Sequence, residues 1–199
     1  KFSLCHSPIV RRLFGLSIRM SKLIKILPCG GWEQTLKLHA EFEDSAIAGK
    51  SCKIVSILDG DIKSEYDGKY VDGQEYKKHR FTRLTTSFLP IKSIEKYIKE
   101  KLITKPDATF FKMFGDTFYS YKSLSEIIKE YESELSKKKG KERDDKDGKS
   151  LWEKLKYYAL AQGLTEERFE DKVCEFVYKR DNFGSLGNFV EKQLTGARV

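Results

Sequence analysis

The chain has few cysteines, and their spacing suits no metal or disulfide motif. Cys5, Cys29, Cys52 and Cys174 are scattered, with no C-x-x-C pair. A disulfide framework needs denser cysteines and an oxidising compartment, and a structural zinc site needs paired Cys or His ligands; neither is expected. Cys29 and Cys52 lie in or beside apolar runs and are expected to act as small core residues. No apolar run approaches the ~18–20 residues that cross a bilayer. Lys1-Phe2-Ser3-Leu4 does not open a signal-peptide apolar segment. A cytoplasmic location without membrane contact is therefore expected. The first residue is not methionine, so a longer parent polypeptide is expected too.

What is present describes a folded chain. Hydrophobic residues make up 39% and charged residues 34%, a globular balance rather than a disordered one. A length of 199 residues allows one domain with an appendage, or two small ones, with a real core. Thirty-eight basic against 30 acidic side chains give a net charge of +8. That suits a nucleic-acid partner, because neutralising phosphates releases counterions. It equally suits a lysine-rich solvated surface.

Periodicity sets the organisation. Phe2-Ser3-Leu4-Cys5 reads as a strand, and Ile9 to Leu16 has helical spacing. Leu23 to Leu27 reads as a second strand, stopped by Pro28 and Gly30-Gly31. Trp32 to Phe42 is helical around Leu36 and Leu38. Lys53 to Leu58 is a third strand, apolar enough for the centre of a parallel sheet. This β-α-β-α-β alternation predicts an α/β fold with a central parallel sheet. Residues 62–79 are polar and read as a loop. A fourth strand is expected within 81–88, then a helix through Ile94, Tyr97, Ile98 and Leu102. The aromatic stretch 108–121 has no clear assignment. Helices are expected over 124–135 and 151–160 and after Thr165-Glu166-Glu167. The run 136–149 has almost no apolar residue and reads as a solvated linker. The expected organisation is therefore 1–135 as the α/β domain, 136–150 as a charged linker, and 151–199 as a helical C-terminal extension.

The third strand ends in Asp59-Gly60-Asp61. In parallel sheets, ligand sites form at the carboxyl ends of strands. Two carboxylates at i and i+2 about a glycine turn could converge on Mg²⁺, which takes one or two carboxylates and fills its shell with water and substrate phosphate. The alternative is a turn carrying two solvated aspartates, since Asp-Gly is common turn chemistry. Gly49-Lys50-Ser51 and Gly148-Lys149-Ser150 are not phosphate-binding P-loops: Asp44 and Arg143 stand where the motif needs its first glycine. Tyr76 to Phe81 and Lys154 to Tyr158 interleave bases with rings, as nucleic-acid surfaces do and as solvated helix faces also do.

Lys22-Leu23-Ile24-Lys25-Ile26, Gly30-Gly31, and Ile54 through Asp61 together resemble the TOPRIM domain of OLD-type (overcoming lysogenisation defect) endonucleases. Phe88 to Tyr97 resembles that family's segment with a glutamate at the head of a helix. The resemblance covers residues 1–105 with some continuity and the remainder only loosely. It implies a Rossmann-like TOPRIM fold and Mg²⁺- or Mn²⁺-dependent cleavage of DNA. It further implies an ABC-type ATPase on the same or a partner chain, a homo-oligomer, and a role in antiviral defence or DNA processing. Under it, Asp59 and Asp61 would ligate the metal and Glu95 would help a second ion. Lys149, or Lys146, would support the transition state. Taken alone, Glu95 is an ordinary first-turn glutamate favoured by the helix dipole, and both lysines belong to a charge-rich loop.

One departure is plain. The family carries a glutamate just after its first strand, where this chain reads Leu4-Cys5-His6-Ser7-Pro8. Neither Cys5 nor His6 is a hard oxygen ligand. His6 could act as a base or be a surface histidine at a helix start. A degenerate TOPRIM domain that binds protein or nucleic acid without cleavage is therefore the second expectation. A phosphatase or nucleotidyl-transfer domain, lacking an assignable nucleophile, is the third.

Overall fold

The computed structural model describes residues 2–5, 25–47, 49, 53–72, 78–140, 144–180 and 184–195. The helix expected over 9–16, and His6 with it, lie outside the described residues. The chain forms two compact units: Lys1–Ser93 with Val177–Val199, and Ile94–Phe176. The charged run expected as a linker therefore lies within the second unit, and the last helix belongs with the first.

The first unit is built on a parallel sheet of β1 (Phe2–Cys5), β2 (Lys25–Pro28), β3 (Ile54–Leu58) and β4 (Thr86–Phe88). The strand order is β2-β1-β3-β4, with every pairing parallel. All five residues of β3 are buried, as its almost wholly apolar character requires. Between β2 and β3 runs α1 (Trp32–Asp44), whose Leu36 and Ala40, one helical turn apart, are buried. They join Leu58, Tyr66, Tyr70, Phe81 and Leu84 in one core cluster.

Two of those tyrosines correct the loop expected over 62–79. A short turn (Gly60–Ile62) leads into α2 (Lys63–Tyr66), which widens into a π-type turn over Asp67–Val71. Ile62, Tyr66 and Tyr70 recur every four residues, so one face turns inward. Tyr66 packs edge-on against Tyr70 and Phe88, and Tyr70 against Phe81. Aromatic burial outweighs the polar composition. A further helix, α3 (Lys78–Thr82), precedes β4 and occupies part of the stretch expected to hold that strand.

The one polar residue in β3, Ser56, is fully buried and lies 2.8 Å from Nδ1 of the equally buried His39. The Nε2 atom is 3.3 Å from Glu43 Oε1, off hydrogen-bond geometry. Burial lowers the His39 pKa below its ordinary value, and Glu43 only partly opposes this. A histidine with a depressed folded pKa stabilises above its unfolded value, about 6.5, and that contribution fades as pH falls below it. The wild type is therefore expected to lose more thermal stability between pH 7.5 and pH 5 than His39→Gln does. Parallel Tm-against-pH curves for the two proteins would refute this.

The second unit is helical. It comprises α4 (Ile94–Lys99), extended by a π-type turn over Glu100–Thr104, then α5 (Ala108–Phe118), α6 (Leu124–Lys137) and α7 (Lys149–Ala161). Next comes α8 (Glu166–Arg180), which runs past the unit boundary, and α9 (Ser185–Thr195) follows in the first unit. The aromatic stretch without a sequence assignment is α5. Asp107 accepts from the Phe110 N–H and caps it. Phe110, Phe114 and Phe118, one turn apart, form a buried column against Phe176, with ring centroids 4.6–6.0 Å apart. Ser123 and Glu126 form a capping box at the start of α6. Among the described residues no helix is long and apolar enough to cross a membrane.

Candidate functional site

The strand order fixes where a ligand site belongs. From β1 the chain passes to β2 on one side, then returns to β3 on the other. In open parallel sheets the crevice outside the carboxyl ends of two such strands is where ligands bind. Cys5, the last residue of β1, pairs with Ile57, two residues before Asp59. The place without a glutamate and the Asp59-Gly60-Asp61 turn therefore follow adjacent strands.

That turn is held by the segment leaving β4. The Leu89 N–H donates to Leu58 O (2.8 Å) and the Gly60 N–H to Ile91 O (2.9 Å). The Ser93 N–H donates to Asp61 Oδ1 (3.1 Å). A Cβ on Gly60 would lie 2.4 Å from Leu89 O and 2.5 Å from Ile91 O. Close approach of two backbones, rather than an unusual φ, makes glycine necessary here. Asp59 is buried, at 7% exposure, and Asp61 is half-buried. The sequence reading named both acids but missed Ser93, whose contribution is a backbone N–H and leaves no compositional signal.

Two carboxylates two residues apart form a hard-oxygen donor set. It fits Mg²⁺ or Mn²⁺ better than a softer metal. Among the described residues no group of three or more His, Cys, Asp or Glu side chains is arranged to hold a metal. A hard ion at the two aspartates would have to take its remaining oxygens from water and phosphate.

In the second unit, Glu95 is the second residue of α4 and Lys149 the first of α7. Their backbones are brought close through Gly148, whose added Cβ would lie 2.6 Å from the Glu95 carbonyl oxygen. Gly148 also has φ +71°, which favours glycine. Lys149 is exposed, and Lys146 lies in the exposed turn before it.

The charged run holds a residue that sequence reading passed over. Asp145 is buried, at 9% exposure, and has φ +39°. Its carboxylate accepts from Ser150 N–H (2.9 Å), Leu151 N–H (3.1 Å) and Tyr131 OH (2.8 Å). Burial alone would raise its pKa, but these hydrogen bonds and nearby Lys99 hold it below the usual carboxylate range. An aspartate a few residues before an apolar helical run is a capping signal; here solvated neighbours masked it.

The basic-aromatic stretches resolve mostly as paired surface. Lys154 pairs with Glu134 (2.5 Å) and Glu130 (3.6 Å), and Lys156 with Glu153 and Glu166. The Tyr158 hydroxyl donates to Glu130, and Tyr157 stays exposed. In the earlier stretch Phe81 is a core residue and Arg80 pairs with Asp44, while Tyr76 and Lys77 lie outside the described residues. Of the two P-loop-like matches, Lys50 and Ser51 also lie outside them.

No protein-family model matches the chain, and neither a curated protein nor a solved structure matches it.

Proposed function

We propose that this chain is a Rossmann-like TOPRIM nuclease domain that hydrolyses DNA phosphodiesters with Mg²⁺ or Mn²⁺, within an ATPase-associated defence or DNA-processing protein. The observation that carries the reading is the Asp59-Gly60-Asp61 turn, which closes a fully buried parallel strand where the strand order reverses. Bound there, the ion supplies Lewis-acid polarisation of a phosphoryl oxygen. Asp59 and Asp61 would hold it, and the Ser93 N–H orients the Asp61 carboxylate by occupying Oδ1. In the second unit, the resemblance alone would give Glu95 a part in holding a second ion and Lys149 a part in offsetting charge growing on the non-bridging oxygens. The net charge of +8 favours a polyanionic substrate.

A second reading has its own observation. The end of β1 and the residue after it read Cys5-His6, with no acid, so a ligand or base of the family is absent. In that reading the domain grips DNA, or the ATPase beside it, without cutting. Incubation of supercoiled plasmid with the chain and Mn²⁺ separates the two. Nicking by the wild type that Asp59→Ala plus Asp61→Ala abolishes supports the nuclease. Retarded but intact plasmid, with the ATPase partner supplied, supports the binding domain.

A further inference from the structure

The loop 144–148 is bound to α4 at three points, none of which the expected linker suggested. The Lys99 ammonium donates to two successive backbone carbonyls, Asp144 O (2.8 Å) and Asp145 O (2.7 Å). Lys96 Nζ lies 3.1 Å from Asp147 Oδ1. Gly148 sits on the backbone of Glu95, with no room for a Cβ. At its other end the loop caps α7: the Asp145 carboxylate holds the amides of Ser150 and Leu151, the two residues after Lys149. The Asp145 backbone, at φ +39°, is in a region that few non-glycine residues other than Asn and Asp adopt, and contacts from outside the loop help to hold it there. The two Lys99 bonds flank that residue.

We propose that 144–148 is a latch that fixes Lys149 relative to Glu95, and that Lys99 is the positioning residue that closes it. Lys99 acts through the backbone of the loop and not on the substrate. Its ammonium sets the two carbonyls, the carbonyls set the Asp145 conformation, and the Asp145 carboxylate sets the first turn of α7. Lys149 is the first residue of that turn. Without the Lys99 charge, the Asp145 backbone keeps only the Gly148 N–H on its carbonyl and the Tyr131 hydroxyl on its carboxylate as holds besides α7 itself, so the loop loosens and the start of α7 shifts relative to Glu95. The catalytic consequence rests on the nuclease reading; the latch itself does not.

Lys99→Met keeps the side-chain stem that packs beside Gly148 and removes only the ammonium. In single-turnover plasmid nicking with Mn²⁺, this variant is expected to lose at least about tenfold in rate, with apparent DNA affinity within about twofold of wild type, because a displaced cation affects the transition state more than the ground state. Lys99→Arg, which also donates to carbonyls, should recover most of the loss. Adding Lys99→Met to Lys149→Ala should cost nothing further, since residues acting through one another are non-additive. Additive losses, or no loss in Lys99→Met, would overturn the positioning role. Amide hydrogen exchange provides a readout free of catalysis. Lys99→Met should speed exchange at Ser150 and Leu151 while leaving the Phe114 and Phe118 amides unchanged. Unchanged exchange at Ser150 and Leu151 would overturn the latch even in a chain that cuts. A wild type that never nicks DNA, with exchange accelerated as expected, would overturn the nuclease reading and leave the latch supported.

Discussion

Gly60→Ala is expected to destabilise the first unit by about 2–4 kcal/mol, combining the ~1–3 kcal/mol of overpacking with about 1 kcal/mol for a lost hydrogen bond. That corresponds to a fall in melting temperature of about 10 °C. The atoms that meet the new methyl group are the carbonyl oxygens of Leu89 and Ile91, at 2.4 and 2.5 Å. Neither can rotate away as a side chain would. Relief requires moving the backbone of 89–91, which breaks the Gly60 N–H bond to Ile91 O and loosens the Ser93 N–H on Asp61. The same substitution should therefore weaken any function of the aspartate pair. Gly68→Ala is the internal control. Nothing lies within 4 Å of its added Cβ and the position is helical, so alanine should stabilise by roughly 0.5–1 kcal/mol. Thermal unfolding of the two variants beside wild type should give shifts of opposite sign. A Gly60→Ala protein melting within 2 °C of wild type, by the ~10 °C scale above, would show that this junction is softer than its contacts imply.

The third strand was legible because burial on both faces forces an apolar run, as Ile54 to Leu58 displays. The Asp59-Gly60-Asp61 turn was legible because charge follows that run abruptly. The helix at Ala108–Phe118 carried its signal in plain view, three phenylalanines spaced by four, but aromatic density alone does not choose between strand and helix. The helical course of 60–71 was hidden for a different reason. Its inward face is tyrosine, and Tyr66 and Tyr70 are held by rings from Trp32, Phe81 and Phe88 that are remote in sequence. Asp145 was the least legible residue. Composition averages over a run, and one buried carboxylate among solvated charges leaves the average unchanged. Its role exists only once Lys99, 46 residues earlier, meets the loop. Half of the candidate site, the acids themselves, could be read from the chain. The backbone groups and glycines that support them come from contacts between distant segments.

Replacing both Asp59 and Asp61 with alanine is expected to reduce DNA cleavage by at least about 10³-fold, since several kcal/mol of charge stabilisation come with a bound ion and each ~1.4 kcal/mol is a factor of ten in rate. The two acids differ in what else they do, so the single variants separate structure from chemistry. Asp61→Asn retains a carbonyl oxygen to accept from the Ser93 N–H, so the turn should survive while the charge is lost. Asp59 is nearly enclosed, and Asp59→Asn preserves its shape at neutral charge. If the pair holds a divalent ion, Mn²⁺ or Mg²⁺ should raise the melting temperature of wild type. Saturation at 100 times the dissociation constant contributes about 2.7 kcal/mol, which both asparagine variants should largely lose. That measurement needs no substrate, so it separates metal binding from cutting. An ion-dependent Tm without nicking would fit the binding domain implied by the missing acid after β1. Equal melting temperatures with and without the ion, in wild type and variants alike, would remove the metal, and with it the reason to regard Asp59 and Asp61 as more than the close of a buried strand.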